Sequence, residues 1–373
     1  MNKKLIALAI ATAFAAPVAM ADSGNVKISG QLNLSLDSIN GAPTAGTDNK
    51  RATNVSSNAS NIVFGGDEDL GNGLKAVWQV QSYMTLGSGG NLGATNDLLS
   101  SGASYAGLSG GFGAVLMGRQ EAPFKILSRK VDLFNNQVGD SRNLLSSGAA
   151  DGSGSTVSTK TLWDLRPGNT IAYASPDMNG FKAVAAYSTN PVPSALAALA
   201  ATEQSTTATS LNATYENGPV FVGAGYQNIK PNAGAAGETA TSAWRLAGGY
   251  TFGDAKVVAL YQSAKDQSMT TGDDDRKVWG LGASFKMAAA DTIKAQYYRA
   301  GNYGTTANSG ANMWALGVDH AMSKRTTAYV AYSTTRNNSA AAYSATGGGH
   351  GDDASTVTGK NPSAFSLGMI HSF

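Results

Sequence analysis

The 373 residues carry 27 Lys and Arg against 25 Asp and Glu, with only 14% charged residues, 45 glycines and no cysteine. That balance gives no electrostatic basis for a nucleic-acid partner, and the absence of thiols excludes disulfides and Cys-ligated zinc. Beyond the N-terminal segment no run reaches the roughly 18 apolar residues of a membrane helix, so helical insertion is excluded too.

The chain opens with MNKKLIALAIATAFAAPVAMADSG: Lys3 and Lys4, an apolar run from Leu5 to Ala16, then Ala19-Met20-Ala21. Charge, apolar core and small residues in that order read as a secretory signal over 1–21, cleaved after Ala21. Residues 22–373 then form one exported domain, formally neutral once Lys3 and Lys4 are lost, with no linker or shift in composition to divide it.

The next segment, VKISGQLNLSL, alternates with period two: Val26, Ile28, Gly30, Leu32, Leu34 and Leu36 on one face, Lys27, Ser29, Gln31, Asn33 and Ser35 on the other. Such alternation marks a strand with one apolar and one polar face. It is blurred near 61–66, 102–108, 112–119 and 169–175. It is clear again at Leu74, Ala76, Trp78, Val80; at Phe181, Ala183, Ala185, Tyr187; at Trp244, Leu246, Gly248, Tyr250; at Trp279, Leu281, Ala283, Phe285; and at Trp314, Leu316, Val318. The terminal SAFSLGMIHSF closes the series. The count predicts 16 strands, an even number as in single-chain outer-membrane barrels.

Connections alternate as well. Short turns such as NG at 217–218 and GD at 253–254 follow every second strand, and long polar segments, 37–60, 83–101, 120–168, 188–206 and 336–362, follow the others. Short turns on one side and long loops on the other predict an all-β, antiparallel transmembrane barrel with periplasmic turns and extracellular loops. A sheet crosses lipid only when every backbone group is paired, so the last strand must pair with the first. Phe373 is then a barrel-closure residue that joins Phe365, Tyr187, Tyr215, Tyr226, Tyr250 and Phe252 in the interfacial aromatic girdles.

FGGDEDLGNGLKAVWQVQ (64–81), GLSGGFGAVLMGRQ (107–120), RPGNTIAYASPDMNGFKAVAAYS (166–188) and the final LGMIHSF together resemble the general trimeric porins of Gram-negative bacteria, of the β-proteobacterial type. The resemblance implies a homotrimer of 16-stranded barrels in outer-membrane lipid and lipopolysaccharide. Each barrel would enclose a water-filled pore narrowed by an inward-folded third loop, about 120–168, and pass ions and small hydrophilic solutes. It also implies that Arg119 and Arg166 line the constriction, with Asp132 as their acidic partner. Asn61 and Gln81 depart from the family pattern, standing where relatives often carry an arginine and an acidic residue, which implies a weaker transverse field.

Independently of the resemblance, Lys27, Lys75, Lys182, Arg245, Lys256, Lys286 and Lys294 fall on the polar parity, against only Glu216 and Asp319 among acids. A lipid-facing Lys or Arg at mid-membrane costs roughly 2–4 kcal/mol, so these charges are expected in the lumen or around the periplasmic mouth, where they give a weak anion preference. The other readings are a substrate-selective channel and a structural or adhesin barrel with a closed pore. His320, His350 and His371 form no catalytic constellation, and an enzyme is not expected. Asp273 to Asp275 and Gly349 to Asp353 read as solvated loops rather than metal sites, with a loosely held calcium at the outer loops as the alternative. A short helix is expected within 193–204.

Overall fold

The computed structural model describes residues 26–41, 52–86, 99–146, 163–189, 191, 206–230, 240–265, 275–351 and 357–373. The expected signal segment, the 193–204 helix and the acids Asp273, Asp274, Asp352 and Asp353 lie outside the described residues. In chain order the strands are β1 (Lys27–Asn40), β2 (Ala52–Ser57), β3 (Asn61–Gly71), β4 (Leu74–Tyr83), β5 (Ser104–Gly110), β6 (Gly113–Arg119), β7 (Thr170–Ala174), β8 (Phe181–Thr189) and β9 (Thr207–Asn217). They continue with β10 (Val220–Lys230), β11 (Thr241–Phe252), β12 (Ala255–Lys265), β13 (Arg276–Lys286), β14 (Asp291–Ala300), β15 (Ala311–Ala321), β16 (Thr326–Asn337) and β17 (Ser363–Ser372). Two helices, α1 (Pro123–Val131) and α2 (Arg142–Leu145), lie between β6 and β7.

Neighbouring strands all pair antiparallel, and β1 pairs with β17 from Gln31↔Ser372 to Asn40↔Ser363. Its other edge takes β2 against Leu34–Ile39 and β3 against Lys27–Gln31, so β2 and β3 are two halves of one wall strand. The break falls at Asn58–Ser60, where Ala59 has φ 55°. The wall is therefore a closed barrel of 16 strands, as the alternation predicts. Strand pairing also begins earlier than the pattern shows: Ala52–Ser57, read as loop from sequence, belongs to the wall. Its register continues what β3 begins on the same neighbour.

Phe373 completes the seam by exchanging two backbone hydrogen bonds with Gly30, each 3.1 Å. Its ring lies where a Cβ on Gly30 would stand, 2.7 Å from that position, so Gly30 leaves the space the terminal ring occupies. At the tight turns the backbone goes left-handed at Asn72, Gly218 and Gly253, which Asn and Gly tolerate best.

The two faces sort as the period demands. On β11, Leu246 is 50% exposed and its neighbour Arg245 only 1%. Tyr187, Tyr215, Tyr226, Tyr250, Phe252 and Phe365 are all exposed on the outer wall, which suits apolar and amphipathic rings to lipid and its interfaces.

Candidate functional site

The segment after β6 turns into the barrel. Its two ends are tied together, Gln120 N–H to the Pro167 carbonyl and Ala122 N–H to the Leu165 carbonyl, both 3.1 Å. Pro123 begins α1 at a position where its missing N–H costs nothing. Phe124, Leu127 and Val131 then recur on one helical face and are buried.

The wall is shaped to receive that face. Gly223 and Gly225 sit on the inward parity of β10, and a Cβ on them would come within 2.5 and 2.6 Å of the Leu127 side chain. Gly282 on β13 and Gly317 on β15 make the same kind of room for Leu133 and Phe134. Inward-facing Val258, Leu260, Val278 and Met313 complete an apolar patch with α1 and α2. Half of the lumen wall is thus a seat for the loop, which a strict polar-inside pattern does not anticipate.

Polar clamps fix the loop on this seat. Asp132 just past α1 accepts hydrogen bonds from the Phe134 N–H at 2.9 Å, the Ser141 N–H at 2.9 Å, the Ser141 hydroxyl at 2.8 Å and the Gln296 amide at 3.0 Å. The same Gln296, on β14, donates to the Gly139 carbonyl and accepts from the Leu133 N–H. Arg245 donates to the Phe124 carbonyl at 2.9 Å and lies over the Phe124 ring at 4.1 Å.

Above the seat runs a chain of charges. Arg166 pairs with Glu121 and donates to the Tyr83 hydroxyl at 2.6 Å. Lys125 bridges Glu121 at 2.7 Å and Asp164 at 3.6 Å. Arg142 links Asp164 at 3.2 Å to Asp140 at 2.7 Å, and Arg129 meets Asp140 at 3.0 Å. Burial by itself would raise the Glu121 carboxyl, but the charges of Arg166 and Lys125 outweigh it and hold it at about 2. Asp140 is likewise driven well below the carboxylate range: Arg129 and Arg142 overcome its burial. Asp132 moves the other way, raised by burial and by the neighbouring Asp140 charge. With Arg245 the site gathers five cations, Lys125, Arg129, Arg142, Arg166 and Arg245, around four carboxylates, Glu121, Asp132, Asp140 and Asp164.

The residues named from sequence separate into groups. Arg166 sits in the charge chain, facing Glu121. Asp132 is turned into the loop's own backbone, its side chain fully buried, and does not meet Arg166. Arg119 ends β6 on the parity of the outward Met117, and the charge chain does not include it. Lys27 and Lys75 share Asp67 at 3.0 and 2.6 Å, Lys182 holds Asp177 at 3.2 Å, and Lys294 holds Asp319 at 2.8 Å and Gln137 at 2.8 Å. The count of only two opposing acids is therefore corrected: Asp67 on β3, which the sequence reads as turn, and Asp177 in the turn before β8 pair with three of the lysines. Lys256 lies just past the 253–254 turn, Lys286 is exposed at the end of β13, and Arg245 stands at the level of α1 rather than at the mouth.

A second inward segment escaped the sequence reading. Residues 338–351, expected to be solvated, fold against the third loop: Val138 bridges Thr346, the Gly139 N–H reaches the Ala345 carbonyl at 3.1 Å, and the Asn143 amide donates to Ser344. His350 stands 3.2 Å from Asp37 of β1, both side chains fully buried. Its glycine-rich context lets the backbone pack closely. A Cβ on Gly347 would meet Asp140 at 2.5 Å, and one on Gly349 would meet Asn136 and Arg142 at about 2 Å.

The model of the Gram-negative porin family matches residues 7–340 of the sequence. The chain belongs to the Gram-negative porin family. It is 40% identical over 129 residues to the major outer membrane protein P.IB of Neisseria meningitidis, an alignment spanning 34% of this chain and 35% of that protein. The Neisseria lactamica P.IB protein is 32% identical over 191 residues, half of each chain. The porin thus spans about a third to a half of the length of these relatives. In fold it is similar to an anion-selective porin from Comamonas acidovorans, TM-score 0.71 at 24% identity over 93% of this chain and 99% of that one. It is also similar to OmpF of Salmonella typhi, TM-score 0.60 at 15% identity over 95% and 99%. The porin is an integral β-barrel of the outer membrane.

Proposed function

We propose that this porin is a general diffusion channel of the outer membrane with a weak preference for anions, working as a homotrimer embedded in phospholipid and lipopolysaccharide. The observation that carries the reading is the loop seated inside a closed barrel, with a cation-rich chain of charges along it. The barrel sets an aqueous path through the lipid. The seated loop narrows that path, and fixed charges at the narrowing bias which ions enter.

The sign follows from the charges that face one another. Two of the four carboxylates, Asp132 and Asp140, are fully buried within the loop; Glu121 and Asp164 keep 27% and 11% of their side-chain surface against 21% and 16% for Arg166 and Arg129, so the sign rests on the surplus of one cation in the chain. On the opposite side of the barrel the inward positions of β1, β3 and β4 carry Gln31, Asn33, Asn61, Gln79 and Gln81. These are amides, and the inward carboxylates of the same strands are already engaged, Asp37 by His350 and Asp67 by Lys27 and Lys75. The likeness in fold to the anion-selective porin from Comamonas acidovorans agrees with this reading. The outer face beside the β1–β17 seam is aliphatic, with Ile28, Leu36, Leu367 and Met369 exposed, and such a face supports packing of a second copy there.

Liposome swelling with neutral sugars of rising size tests the diffusion reading. Entry rates should fall smoothly with solute size without saturation. Saturable uptake of one sugar class would replace it with a substrate-selective channel.

A further inference from the structure

The wall strand made of β2 and β3 carries one extra residue. Leu34 pairs with Ser57 and Gln31 with Asn61, so residues 58–60 oppose only Leu32 and Asn33 of β1. That is a β-bulge, a device that re-aims side chains. Without it the alternation would send Asn58 and Asn61 to opposite faces; with it both face the lumen. Ala59 is left-handed there, a conformation that a residue other than glycine holds only where its surroundings enforce it. The bulge is tied to β1: the Asn58 N–H donates to the Asn33 carbonyl at 2.7 Å, and the Ser60 hydroxyl bonds the Asn33 N–H at 3.0 Å and its carbonyl at 3.1 Å.

Asn58 is the side chain the bulge presents. Its buried amide donates to the Ser35 hydroxyl at 2.7 Å and the Tyr329 hydroxyl at 3.3 Å, and its Oδ1 accepts the Gly351 N–H at 2.9 Å. One residue earlier, His350 stands 3.2 Å from Asp37, which also accepts the Ser35 hydroxyl at 3.0 Å. The wall thus grips two consecutive residues of the 338–351 segment. Asp37 and His350 are both fully buried, and taking one partner from a buried pair is strongly destabilising.

Between β16 and this grip the segment lies on the tip of the third loop. Gly347 fits closely over Asp140, where a Cβ would come within 2.5 Å, and Gly349 lies against the Arg142 guanidinium and the Asn136 amide. Beneath this cover the Arg142 side chain keeps only 7% of its surface. Asp140 is wrapped by the loop itself, accepting the Asn136 and Arg142 N–H groups at 2.8 and 2.9 Å. Lifting the cover therefore opens the Arg142 guanidinium to the lumen and leaves Asp140 enclosed.

We propose that Asp37, Asn58 and His350 form a latch that holds residues 338–351 as a cover over Arg142, and that His350 is thereby a positioning residue for ion selection: it decides whether the Arg142 charge reaches passing ions. The role in selection rests on the channel reading; the cover itself does not.

Hydrogen exchange of the purified porin in detergent reads the cover without any current. His350→Ala should speed exchange about tenfold in peptides spanning 338–351 and, with them, in 136–143, where the Gly139 N–H loses the Ala345 carbonyl. Planar-bilayer recording reads selection: the chloride-over-potassium permeability ratio should rise about twofold, with a larger conductance. His350→Gln, whose amide still donates to Asp37, should stay near the wild type in both assays. His350→Ala with Arg142→Gln should keep the fast exchange and lose the rise in ratio. If His350→Ala does not fold, Gly347→Ala, which pushes the cover off Asp140 with the latch residues intact, should give the same two changes. Fast exchange confined to 338–351, or a Gln variant as loose as the alanine, overturns the latch. Fast exchange in both segments with an unchanged ratio overturns the role in selection. A wild type that conducts nothing overturns that role together with the channel reading, and exchange still decides the cover.

Discussion

Replacing Asp132 with alanine should unseat the constricting loop while leaving the barrel closed. The carboxylate is the acceptor for the Phe134 and Ser141 N–H groups, the Ser141 hydroxyl and the Gln296 amide. Gln296 keeps the Gly139 carbonyl and the hydroxyl can rotate, so two buried N–H groups lose their acceptor. Each such loss costs about 1–3 kcal/mol. Relief of the buried acid beside Asp140 offsets part of this, leaving roughly 2 kcal/mol, or about a 30-fold rise in the unseated population. Single-channel recording reads this as frequent excursions to a larger conductance, and Asp132→Asn, which keeps one acceptor oxygen, should fall between. The heat-modifiable gel mobility of the barrel should not change. A quiet, single-level trace from Asp132→Ala, matching the wild type, would refute the clamp.

Gly223→Ala should also disturb the loop, since the new methyl meets Leu127 at 2.5 Å; overpacking of about 1–3 kcal/mol should appear as added current noise, and Leu127→Ala in the same chain should restore quiet current. Glu121→Gln leaves Arg166 and Lys125 with one less opposing charge, so the reversal potential should move further to the anion side. Arg166→Gln should move it back, each by a permeability ratio of about two to five through a screened field, and an unchanged potential in both would exclude the charge chain from the permeation path. The carboxyls of Glu121, at about 2, and of Asp140 are depressed, so their hold on the loop is complete above the ordinary carboxylate range and is lost as pH falls from that range through their depressed values. Asp132, raised, acts in the opposite sense. Conductance should therefore be constant from pH 7 to 5 and grow noisy as pH falls from about 4 toward 2; noise that begins near pH 6 would contradict the assignment. His350→Ala should loosen the 338–351 segment from Asp37, seen as faster limited proteolysis of that loop with barrel mobility unchanged.

Wall and closure were legible because lipid imposes a strict rule: Trp244 and Leu246 must face out and Arg245 in, and Phe373 must find a partner strand. The rule fixes the outward face even where the inward one is not polar: Val258, Leu260, Val278 and Met313 face inward yet are apolar, since they pack against the loop rather than water. Gly223, Gly225 and Gly317 carry no side chain to declare a face, although together on inward positions they mark the seat. Ala52–Ser57 read as loop because its strand breaks at Asn58–Ser60. Arg166 stands out in the sequence only through resemblance, and no local signal points to Glu121, the carboxylate it pairs with, in place of Asp132. The contact of His350 with Asp37 joins residues 313 positions apart, which no local pattern reports.

The central claim is that water-filled passage through this barrel is biased by the cations of the seated loop. Zero-current potential across a planar bilayer holding a tenfold gradient of potassium chloride measures that bias directly. The porin should give steady conductance and a potential of the sign set by chloride moving faster than potassium. A potential of the opposite sign, or no conductance at all, would contradict it.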